Sequence, residues 1–127
     1  MNWDLVVHEK AEGDIMWLKA HRPEVLRALI SEMKRLAVMR DPRKHKHVQP
    51  MRGYAQGWYR LALYKYNFRV VFRLLHSKDS DAFYAEIWPH ENVPEHGELA
   101  LEVIRAAFRS IVYDSRLRLR DDRVIRD

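Results

Sequence analysis

The stretch Trp58 to Leu75, WYRLALYKYNFRVVFRLL, decides the fold. It reads as two short strands joined by a tight turn at Tyr64 to Asn67. In the first run, Tyr59, Leu61 and Leu63 fall on one face, and Trp58, Arg60 and Ala62 on the other. In the second, Phe68, Val70, Phe72 and Leu74 line one face, and Arg69, Val71, Arg73 and Leu75 the opposite one. Side chains alternate at period 2 in a strand, so the pattern gives an apolar core face and a face studded with arginine. Asn67 tolerates positive φ, which suits the turn. A lone hairpin is marginal in water, so further strands or a helix must lie behind it.

Working outward towards the N-terminus, Asn2 to Val7 alternates and reads as a strand, with Trp3, Leu5 and Val7 on one face. Glu9 to Ala20 reads as a helix with Ala11, Ile15 and Leu18 on one side, weakened by Gly13. Pro23 opens a second helix, in which Leu26, Leu29, Ile30, Met33 and Leu36 recur at three- and four-residue spacing. That helix should end before Asp41-Pro42, because a residue preceding proline disfavours helical dihedrals. Asp41 to Gly57 then reads as a loop. Beyond the hairpin, His76 to Asp81 reads as a turn. Ala82 to Trp88 reads as a third strand, with Phe83, Ala85 and Ile87 inward and Tyr84, Glu86 and Trp88 beside the arginines. Pro89 to Gly97 is a polar connection. A last helix is expected over Glu98 to Val112, with Val103, Ile104, Ala107, Phe108 and Ile111 as its apolar side. The fold class is therefore a small α+β domain over residues 1–113: strand, two helices, three antiparallel strands and a helix. Residues 114–127 form a charged tail of five arginines and four aspartates.

The chain has 127 residues, enough for one domain with a real core. It contains no cysteine, which excludes a disulfide framework, a thiolate zinc site and a cysteine nucleophile, and fits a reducing cytoplasm. The N-terminus does not read as a signal peptide, and no apolar run approaches membrane-spanning length. The net charge is +5, and its placement is uneven. Between Arg40 and Arg60 stand six Lys or Arg against one acid, Asp41, so that segment carries the whole excess. Concentrated positive charge is the footprint of a phosphate-rich partner. His45 and His47 in KHKH lack the Cys or further His that would complete a metal site, so no metal or cofactor is expected. Arg43, Lys44, Lys46 and Arg52 are instead the candidate RNA-phosphate contacts.

At this point the residues carry a resemblance. The helical pair ending in RDP (Arg40 to Pro42), MRG (Met51 to Gly53), WYRLAL (Trp58 to Leu63) and FRVVF (Phe68 to Phe72) stand in order and spacing. Together they resemble the RelE/ParE superfamily of toxins from bacterial toxin–antitoxin pairs. The resemblance spans about residues 3 to 112. It implies helices packed on one face of a curved sheet with a concave basic face, which in the RelE branch enters the ribosomal decoding site and cuts messenger RNA. In the ParE branch the same fold inhibits DNA gyrase and cuts nothing. It also implies an antitoxin partner, for which Phe108, Ile111, Leu117 and Leu119 are the candidate contacts.

The RelE-type reaction resembles metal-free ribonuclease chemistry. A base takes the ribose 2′-OH proton, cations stabilise the phosphorane-like transition state, and an acid protonates the leaving 5′ oxygen. Matched position by position, Arg60 is the first basic residue of the first hairpin strand and Arg69 opens the second. Ala62 stands where relatives often have a second basic residue. The segment WPHENVPEHG lacks the arginine and tyrosine many relatives carry after the last strand; some relatives use histidine and a carboxylate instead, and the resemblance then offers His90, Glu91 or His96 for that role. Histidine suits acid–base work near neutral pH. The candidate catalytic set is thus Arg69, Arg60, His90, Arg73 and Glu86. Glu86 reads more readily as a salt-bridge partner of Arg69 or Arg73 than as a base. The expected function is a ribosome-dependent endoribonuclease; the alternatives are a gyrase inhibitor or an RNA-binding module without activity.

Overall fold

The computed structural model describes residues 3–52, 57–77 and 84–108. Their order is β1 (Asp4–Val7), α1 (Glu9–His21), α2 (Pro23–Val38), β2 (Val48–Pro50), β3 (Tyr59–Leu63), β4 (Phe68–Ser77), β5 (Ala85–Glu86) and β6 (Glu98–Phe108). The hairpin forms as its alternation requires, with Tyr59 opposite Phe72 and Leu63 opposite Phe68. One 3-10 turn, Tyr64–Tyr66, reverses the chain, and Asn67 closes it at φ 52°, ψ 39°. Its N–H donates to the Tyr64 carbonyl at 3.2 Å. Asparagine tolerates this left-handed conformation, where a β-branched residue would be strained.

The strands form one sheet in the order β1-β6-β4-β3-β2. β1 runs parallel to β6 and the other pairs are antiparallel. β5 pairs with β4 at Leu75 and His76, beyond the stretch that β3 covers. The main core lies on the face carrying Tyr59, Leu61, Phe68, Val70, Phe72, Leu74 and Leu101, against Ala11, Leu18, Val25, Leu29, Met33 and Leu36 of the helices. The Trp3 indole fixes the end of α2: its Nε1–H donates to the Met39 carbonyl at 2.9 Å, and the Trp3 N–H reaches the Ala37 carbonyl at 2.7 Å. This anchor sets the point from which the basic segment departs.

Four expectations are corrected. Glu98 to Phe108 is not a helix but the long strand between β1 and β4; residues 109–112 lie outside the described residues, as does the tail 114–127. β4 runs through His76 and Ser77, where a turn was expected. The strand expected over Ala82 to Trp88 shrinks to Ala85–Glu86, with Ala82 and Phe83 outside the described residues. Ile87 is nevertheless buried as expected, and its N–H donates to the Leu74 carbonyl at 2.9 Å. The loop expected over Asp41 to Gly57 contains a 3-10 turn, Pro42–Lys44, and the short edge strand β2.

α1 is tied to β6 by an ion pair inside the protein. Arg105 Nε and Nη2 donate to the two Asp14 carboxylate oxygens at 2.9 and 3.2 Å, and the Ala106 N–H donates to Asp14 Oδ2 at 2.9 Å. Both side chains are under a tenth exposed. No helix among the described residues is long and apolar enough to cross a membrane.

Candidate nucleic-acid interface

The basic segment leaves α2 and turns at once. Asp41 caps that turn by accepting from the Arg43 N–H at 3.0 Å. The same carboxylate takes the Arg43 guanidinium side-on, Nε to Oδ1 at 2.8 Å and Nη2 to Oδ2 at 2.9 Å. The outer edge of the fork donates to the carbonyls of Trp88, Pro89 and Glu91 at 2.8, 3.1 and 2.7 Å. Arg43 is therefore a staple between the basic turn and the turn that carries His90. Expected as a phosphate contact, it has its donors committed inside the protein. An open cleft of about 620 Å³ lies beside it, with Arg40, Lys44 and Glu95 in its walls.

Burial pushes the Asp41 carboxyl up, but the hydrogen bonds from the Arg43 side chain and backbone more than offset this and hold it below its ordinary value. A folded pKa below the unfolded one stabilises the protein above the unfolded value, and that contribution disappears as pH falls through the folded value. Arg43→Met should therefore cost about 2–3 kcal/mol at neutral pH and less in acid. Amide exchange in the 87–92 stretch should quicken, and the Asp41 carboxyl should titrate higher by NMR. Unchanged exchange there would show that the staple holds nothing.

Lys44, Lys46 and Arg52 are exposed along the segment that contains β2, as a phosphate-binding strip requires. The histidines between them are engaged. His45 Nδ1 accepts from the His47 N–H at 3.0 Å, and its Nε2 lies 3.3 Å from Glu32 Oε2. Among the described residues no three His, Asp or Glu side chains gather as a metal-ligand set. The His47 ring meets Tyr64 edge-on, with centroids 5.0 Å apart. On β3, Arg60 donates to Gln49 Oε1 of β2 at 2.5 Å.

The expected arginine face is not open. Trp58, Val71, Ile104, Ala107 and Met51 form a second, smaller apolar cluster on it. Arg73 is neutralised there: Nε donates to Glu102 Oε1 at 2.8 Å, Nη1 to Glu86 Oε1 at 3.4 Å, and Cζ lies 5.9 Å from the Trp58 ring centroid. Glu86 also accepts from Trp58 Nε1–H at 2.8 Å. It is thus a salt-bridge partner of Arg73, and a base committed to two donors is poorly placed to take a proton.

Arg69 differs from all of these. It is 5% exposed, in register with Ala62 on one side and Ala107 on the other, whose small side chains flank it. Its Nη1 donates to the Phe68 carbonyl at 3.0 Å, and its Cζ lies 5.2 Å from the Tyr64 ring centroid. Among the described residues its Nε has no hydrogen-bond partner and no carboxylate pairs with it. A charge taken out of water without a counter-ion is expensive, so it is found where a site has use for it.

The structure thus gathers Arg69, Tyr64 and His47 at the hairpin tip, with Arg60 on the same strand as Ala62, and ties Arg73 to Glu86. His90 is exposed on the turn that Arg43 holds. Tyr64 and Glu102 were not among the expected site residues. Tyr64 had a signal in sequence, since YKYN interleaves aromatic and cationic residues; Glu102 was hidden by its place in an expected helix. Comparison with protein-family models, with curated proteins and with solved structures finds no match to this chain.

Proposed function

We propose that the chain is a RelE/ParE-like toxin domain that acts in the cytoplasm on messenger RNA at the ribosome, as a metal-free endoribonuclease, and is restrained by a cognate antitoxin. The observation that carries the reading is Arg69, a buried guanidinium with no carboxylate partner among the described residues, in a sheet whose β2 edge segment carries exposed Lys44, Lys46 and Arg52. Arg69 and Arg60 supply positive charge for the phosphorane-like transition state, which forms where water is scarce and such charge counts most. Glu86 is committed to Arg73 and Trp58, which leaves His90, with Glu91 and His96, as the acid–base candidates. Lys44, Lys46 and Arg52 position the strand. Support for the family also comes from the element order: a strand and two helices precede the antiparallel strands, of which β3, β4 and β6 are adjacent in the sheet.

A second reading, a non-cutting toxin directed at DNA gyrase, is favoured by the mutual neutralisation of Arg73 and Glu86. Pulse labelling after induction separates the two. Rapid loss of protein synthesis supports the ribosomal target; loss of DNA synthesis with induction of the damage response supports gyrase and rejects it. For the cationic strip, Lys44→Gln, Lys46→Gln and Arg52→Gln should each flatten the salt dependence of RNA binding by roughly 0.7 in logarithmic slope. An unchanged slope would show these charges to be merely solvated.

A further inference from the structure

We propose that Tyr64 is a stacking platform for one nucleobase of the bound RNA strand, with Arg69 as the fixed cation beneath its ring. The proposal rests on the RNA-binding reading above and assigns that site a way of holding a base. Tyr64 is 59% exposed, yet it is not a loose surface side chain. Its backbone is set by the 3-10 turn and by Asn67 in the left-handed conformation. The His47 ring abuts it at 79° to its plane, and the Arg69 guanidinium lies over one face. Arg69 itself cannot drift, being buried and bonded to the Phe68 carbonyl.

A cation against one face draws electron density from the ring, which makes its remaining exposed π-surface a better partner for a base. Preordering the ring also lowers the entropy lost when a base stacks. Exposed Lys46 lies one residue from His47 and exposed Lys65 one residue from Tyr64, so cations flank the platform along the chain, as a backbone-tracking groove requires. Stacking reads a π-face that every base has, so binding at Tyr64 is tolerant of sequence.

The test uses the full-length chain and a short single-stranded RNA carrying 2-aminopurine as the fluorescent base. Tyr64→Ala should weaken binding roughly 5- to 150-fold and abolish the quenching of 2-aminopurine. Tyr64→Phe and Tyr64→Trp should retain both. The salt slope should not change in any of the three, because stacking releases no counter-ion. Since Tyr64 is 59% exposed, the alanine variant should still unfold cooperatively in urea, with its midpoint lowered only by the lost contacts to Arg69 and His47. Wild-type affinity in Tyr64→Ala, together with a flattened slope in Lys44→Gln and Lys46→Gln, would overturn the platform and leave the RNA reading standing. Tyr64→Leu binding as tightly as Tyr64→Phe would overturn stacking in favour of simple apolar contact. No binding of the RNA by the wild-type chain would overturn both.

Discussion

Asp14→Ala is expected to lower the free energy of unfolding by about 3–5 kcal/mol. The size follows from what the substitution leaves behind. Arg105 sits in the strand between β1 and β4, is 3% exposed, and gives two donors to Asp14. Without the carboxylate, a guanidinium charge remains inside the protein, and the Ala106 N–H loses its acceptor as well. The pair is not thereby a large net stabiliser, because desolvating two charges offsets most of their attraction. Removing one partner is the costly act. Asp14→Leu combined with Arg105→Met should therefore recover much of the loss, since two apolar side chains need no counter-ion. Urea unfolding of the single and double variants decides the matter. A loss below about 1 kcal/mol for Asp14→Ala would mean that water or another group takes over, and that α1 is held on β6 by packing alone.

The hairpin and α2 were legible because in each the polar residues recur at the period of the element. β3 and β4 are buried on both faces, but Arg60, Arg69 and Arg73 interrupt one of them and so keep period 2 in the sequence, while α2 buries a single stripe with Leu29, Met33 and Leu36 near period 3.6. β6 was not legible, for two physical reasons. It lies between β1 and β4 with both faces buried, so ELALEVIRAAF is nearly continuous apolar sequence. In addition, a β-bulge opposite Val71 and Phe72 breaks its alternation. The bulge brings Val103 and Ala106 into one core cluster and Ile104 and Ala107 into the other, each pair three residues apart. Three-residue spacing on one side is what a helix would show, so the bulge imitates a helix. Asp14 did leave a trace: it occupies the same stripe of α1 as Ala11 and Leu18, at the spacing of a core position. A carboxylate there asks for a buried cation, but nothing in a single sequence says that Arg105 answers it. The site was legible in its residue types and not in its pairings. Alternation placed Arg60, Arg69 and Arg73 on one face, but could not show that Glu102 and Glu86 neutralise Arg73, that Asp41 holds Arg43, and that Arg69 stays without an acid among the described residues.

That contrast gives the second large effect. Arg69→Met should lower cutting of messenger RNA on translating ribosomes by about 100- to 1,000-fold, the usual result of removing one preorganised donor from a charge-stabilising site. The same substitution should leave stability unchanged within about 1 kcal/mol or raise it, because it removes a charge from an apolar slot where no carboxylate repays its desolvation. Methionine keeps most of the volume between Ala62 and Ala107, so no large cavity opens. Arg69 and Arg105 are both buried arginines, 5% and 3% exposed, and they should respond in opposite ways. Loss of the Arg105 counter-ion should destabilise the fold, whereas loss of Arg69 should remove the proposed activity and spare the fold. Arg69→Lys should not restore cutting, since a point charge on a flexible stem cannot reproduce the planar fork that lies against Tyr64 and bonds to the Phe68 carbonyl. Primer-extension mapping beside urea unfolding reads both sides of the prediction. A loss of more than about 2 kcal/mol in Arg69→Met would make Arg69 a structural residue. Cutting at the wild-type rate in a stable Arg69→Met protein would remove it from the chemistry.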